Sequence, residues 1–164
     1  MFNKNPGINT MEAHSRWYDD IVKEIGLHQD ILSKKDAKKY KLGLLLKISA
    51  RVDSFSSHCG QCQIFQQDIT QLTQVLSYIV QASKEKRKGY FKKINNIIKH
   101  LQKQHKLVTE GYYIGIGIAI GVGIGTVLGM IFENPAIGTG SGTAIGLAIG
   151  AYLDKKAKEE GRVI

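Results

Sequence analysis

Residues 111–132 read GYYIGIGIAIGVGIGTVLGMIF and carry no charged side chain. No other feature limits the chain so strongly. As a helix, a charge-free run of this length crosses a hydrocarbon core of about 30 Å. A second apolar run follows at 135–153, PAIGTGSGTAIGLAIGAYL, shorter and more polar. Glu133, Asn134 and Pro135 form a tight connector between them. Two spans linked this closely must be antiparallel, so residues 110–153 are expected to be a transmembrane helical hairpin.

The glycines of this segment keep helical spacing. Gly117, Gly121, Gly125 and Gly129 form one i, i+4 series, and Gly138, Gly142, Gly146 and Gly150 form another. Glycines four apart give a flat groove in which two backbones approach closely. In lipid, where hydrophobicity does not favour one helix over the acyl tails, such packing is what holds helices together. These eight glycines are the expected helix-packing residues. A second small row, Gly115, Ala119 and Gly123 on the first span and Gly140, Ala144 and Ala148 on the second, lies on the nearly opposite face. A hairpin needs one small face per helix, so the other is free for a second protomer, and a homo-oligomer is expected.

Two other readings compete. Ile–Gly alternation is also a strand pattern, but a β-ribbon in lipid leaves open edges unless a barrel closes. A soluble glycine-rich helical core is the other, against which stand the length, the purity and the basic flank. The segment resembles the glycine-zipper domains of bacterial membrane and envelope proteins, some of them channels or permeabilising toxins. That resemblance covers about residues 111–153 and implies a packing mode; the N-terminal part resembles no named family.

The remainder is of a different kind. Residues 1–109 hold 19 Lys+Arg against 9 Asp+Glu, and nine of those cations fall between Lys84 and Lys106 beside one acid, Glu85. The basic run adjoins the first apolar span, where Lys and Arg set topology. It is read as facing anionic lipid headgroups; nucleic acid is the weaker reading, for want of a recognition signature. The tail after 154 is basic too, with Lys155, Lys156, Lys158 and Arg162, and the connector is not. Both termini are therefore expected in the cytoplasm, at the inner membrane. The first residues lack the apolar stretch of a secretory signal.

Residues 1–9 are expected to be a flexible tail, 10–109 a basic helical bundle and 154–164 a cytoplasmic basic tail. Thr10 is the expected cap of a helix over 10–33 with Trp17, Ile21, Ile25 and Leu32 on one stripe. Leu45, Ile48, Val52, Phe55, Cys59, Cys62, Phe65, Ile69, Leu72, Leu76 and Ile79 then recur every three or four residues, the seam of a coiled-coil helix. A helix over 37–82 would be roughly 65–70 Å long, with Gly60 as its weak point. A last helix from Tyr90, with Phe91, Ile94, Ile98, Leu101 and His105 or Leu107 inward, is expected to run on into the bilayer. The fold class is all-α: an antiparallel helical bundle or coiled coil before the hairpin.

His58-Cys59-Gly60-Gln61-Cys62 is the one candidate for chemistry. C-x-x-C serves redox, zinc and iron–sulfur sites. Here both cysteines fall on the apolar seam, where a small hydrophobe is wanted. One chain offers two thiolates and His58, so a zinc or iron–sulfur site would be shared between protomers, and the other reading is plain core packing with no cofactor. His14, His28, His100 and His105 are expected at the surface. No catalytic constellation stands out, and an enzyme is not expected. The leading reading is a self-associating membrane protein whose bundle assembles or docks a cytoplasmic partner. The alternatives are a pore-forming or permeabilising protein and a redox or metal-linked sensor.

Overall fold

The computed structural model describes residues 15–164. These residues form eight helices and no strand: α1 Arg16–Ile31, α2 Lys34–Lys39, α3 Leu42–Ser56, α4 Gly60–Gln74, α5 Leu76–Ile79, α6 Lys84–Gln104, α7 Tyr112–Ile131 and α8 Pro135–Glu159. They fall into two compact units that divide after Leu101.

The first unit is a helical bundle. α1 starts behind Ser15, whose hydroxyl accepts from the Tyr18 amide at 3.3 Å, satisfying one of the amides the first turn leaves open. Thr10 and the expected tail over 1–9 lie outside the described residues. Ser33 caps α2 in the same way, accepting from the Asp36 amide at 3.1 Å. Lys41, at φ 58°, turns the chain from α2 into α3. Ile21 and Ile25 of α1 are buried, together with Leu45, Ile48 and Val52 of α3 and Phe65, Ile69 and Leu72 of α4. Leu76 and Ile79 of α5 complete the buried seam.

The expected single helix over 37–82 is instead α2 to α5. Its main break falls at Ser57-His58-Cys59, beside Gly60 and just before the two successive steps of three from Cys59 to Cys62 to Phe65. α4 returns against α3, and both pack on α1. The seam thus lines an interior made by the chain folding on itself.

The last bundle helix also differs from expectation. α6 begins at Lys84, six residues before Tyr90, with the Ser83 hydroxyl accepting from the Lys86 amide. Its buried face is Tyr90, Ile94, Ile97 and Leu101, turned slightly from the expected one. Tyr90 donates its hydroxyl to the Tyr40 carbonyl at 2.9 Å, and Phe91 stacks on the Tyr40 ring. Lys93 pairs with Asp68 of α4 at 2.9 Å.

α6 does not run on into the apolar span. It ends at Gln104, and the seven residues that follow are not helical. Lys106 and Gly111 both take positive φ, which breaks a helix. In the second unit Val108 forms a parallel bridge with Val163, its amide donating to Arg162 and its carbonyl accepting from Ile164. That pairing satisfies backbone groups an uninterrupted helix would have kept for itself. It also holds Arg162 and Ile164, within the expected basic tail over 154–164, against Val108. α8 likewise runs six residues past Leu153, to Glu159.

Candidate functional site: the glycine-zipper hairpin

α7 and α8 are joined by Phe132-Glu133-Asn134. Glu133 adopts φ 56°, and the Asn134 side chain accepts from the Ile137 amide at 3.2 Å, capping α8. Pro135 takes the first helical position, where its missing N–H costs nothing. At the far end of the hairpin the Asp154 carboxylate accepts from the amides of Tyr113 and Ile114, both at 3.1 Å. A residue of α8 therefore caps α7 where its dipole favours negative charge.

Between these two closures the backbones lie in contact. A Cβ on Gly117 would strike Gly146, one on Gly121 would strike Gly142, and one on Gly125 would strike Gly138. At Gly129 it would meet the Asn134 carbonyl and the Pro135 Cα at 2.8 Å, and at Gly150 the Ile114 Cα at 2.7 Å. In every case the obstacle is main chain, which cannot rotate away. All eight glycines of the two expected series thus face the opposing helix of the same hairpin. Thr126 and Thr139 share a hydrogen bond of 2.8 Å across it.

Residues 109–156 match the glycine zipper membrane protein family. Comparison with curated proteins and with solved structures found no match to the chain. The glycine-zipper segment has the build of a membrane protein. Both helices are long and apolar enough to cross a bilayer, and only 11% of the most apolar stretch of each is buried. Helices so little covered do not form the interior of this chain. Ile120, Ile124, Val127, Met130, Ile137, Ile145 and Ile149 are all more than half exposed. Such a continuous apolar surface is rare on a soluble monomer. The second small row faces outward: a Cβ on Gly115, Gly123 or Gly140 would meet nothing within 4 Å.

The cysteine pair sits elsewhere, at the α3–α4 break. Cys59 is the N-cap residue of α4 in extended conformation, and Cys62 lies in the first turn, its amide donating to the Cys59 carbonyl at 3.0 Å. Cys62 is fully buried and Cys59 half-buried. Hydrogen bonding from the Cys62 backbone holds the Cys59 thiol below its ordinary pKa. Burial pushes the Cys62 thiol up to about 12.

His58, the histidine expected beside the pair, is exposed, and its ring meets the Ser57 hydroxyl at 2.6 Å. The histidine at the cysteines is His100 of α6. Its Nε2 lies 3.4 Å from Cys59 Sγ and 3.6 Å from Cys62 Sγ. The ring packs edge-on against Phe65 with centroids 5.3 Å apart, and burial lowers its pKa. The expectation that His100 is a plain surface residue is therefore corrected. It lies three residues from Ile97 and one from Leu101, on the edge of the buried face. The sequence signal that finds it is the ligand spacing C-x₂-C followed by H-x₄-H, which Cys59, Cys62, His100 and His105 keep.

Proposed function

We propose that the chain is a non-enzymatic integral membrane protein that self-associates through its glycine-zipper hairpin and presents its basic helical bundle in the cytoplasm for assembly or partner docking. One observation carries the reading. The eight-glycine contact is used up within one hairpin, while Gly115, Gly123 and Gly140 stand open on the outside. Small residues facing lipid leave a shallow seat for another backbone, and association in lipid depends on that kind of close approach. The cations between Lys84 and Lys106 suit an anionic leaflet, where each adds about 1 kcal/mol of attraction.

The test is cross-linking and sizing of membrane-extracted full-length protein. Gly115→Leu with Gly123→Leu should reduce the oligomer to monomer and leave the protein in the membrane. Unchanged assembly in that variant would refute self-association through the outer rows. Ion flux from liposomes holding the wild-type protein would favour a pore over a docking platform.

A further inference from the structure

We propose that Cys59, Cys62 and His100 bind a zinc ion that clips the α3–α4 turn to the C-terminal end of α6. The inference does not rest on the membrane reading above.

The donor atoms Sγ, Sγ and Nε2 lie within 4.8 Å of one another. A tetrahedral zinc with Zn–S near 2.3 Å and Zn–N near 2.05 Å requires a sulfur–nitrogen edge of roughly 3.6 Å. The two edges here are 3.4 and 3.6 Å. A lone imidazole N–H donating to one thiol would favour that sulfur; Nε2 stands almost equally far from both. The three donors come from two segments distant in sequence, at a cap and on a helix, so no local turn forces them together.

The chemistry fits the same ion. Thiolate and imidazole in a small tetrahedral set select zinc or an iron–sulfur centre. The chain has only two cysteines, too few for the four thiolates of an ordinary cluster. Both sulfurs sit at the N-terminus of α4, where helix amides favour negative charge. Binding converts two thiols to thiolates and releases two protons to solvent, with no change of oxidation state. The buried Cys62, which resists ionisation by itself, is deprotonated by the ion. Zinc asks for a fourth donor, which a solvent molecule can supply.

The experiment uses untagged full-length protein in detergent, metal analysis and thiol-triggered zinc release. About one zinc per chain is expected. Cobalt replacement should give the visible absorption of a tetrahedral thiolate site. Zinc content should fall at least roughly tenfold in Cys59→Ser, Cys62→Ser and His100→Ala, with helix content retained by circular dichroism. If a variant unfolds, competition of the wild type against a chromogenic chelator still reads the site. Metal-free wild type that binds neither zinc nor cobalt through thiolate would overturn the proposal. So would iron with labile sulfide, or stoichiometric zinc in the cysteine variants.

Discussion

At the scale of single residues, the glycines divide by what a side chain would meet. A Cβ on Gly121 runs into the backbone of Gly142, whereas one on Gly123 enters open space. Gly121→Leu should therefore separate α7 from α8 at a cost of about 3 kcal/mol or more, the upper end for overpacking. Gly123→Leu should leave the hairpin closed and raise its helix propensity. Spin labels at Ile116 and Ile149, which line one groove, give the readout by their distance. Equal distances in the two variants would show that the zipper does not set the packing. Asp154 is a second such residue. Asp154→Ala strips two amide partners from α7 and should cost about 0.5–2 kcal/mol. Hydrogen exchange at Tyr113 and Ile114 should quicken in that variant more than at mid-span amides.

At the scale of elements, the seam was legible and its folding was not. Leu45, Ile48, Val52, Phe65, Ile69, Leu72, Leu76 and Ile79 are all buried as the spacing predicts. Periodicity marks the face that is covered and says nothing of what covers it. The chain doubles back at Ser57–Cys59, so α3 and α4 cover each other. Gly60 looks like the cause of that break, yet it sits at the first position of α4 with open space around it. Gly60→Ala should keep the break and be neutral or stabilising by up to about 1 kcal/mol. Circular dichroism and thermal unfolding check this; a large loss of stability would return the glycine to the cause. The His100 placement was hidden by a small turn of α6. With Ile97 rather than Ile98 inward, His100 moves to the edge of the buried face. The end of α6 was hidden as well, because the bridge of Val108 to Val163 joins residues with no local signal.

At the scale of the whole molecule, two kinds of surface share one chain. A basic bundle buries its apolar seam inward, and the hairpin holds its eight zipper glycines inward and turns most of its isoleucines out. Both patterns were readable in sequence because each obeys helical periodicity. The inverted hairpin is the stable arrangement only where the surroundings are apolar, which makes its insertion the statement on which the rest depends. The direct measurement is labelling by a membrane-impermeant thiol reagent in intact cells, with single cysteines placed at Glu133 and Ile164 in a Cys59→Ser, Cys62→Ser background. The connector cysteine should label from outside, and the terminal one only after the membrane is opened. Labelling of both only after opening, with the protein released by alkaline washing, would contradict a membrane-spanning hairpin.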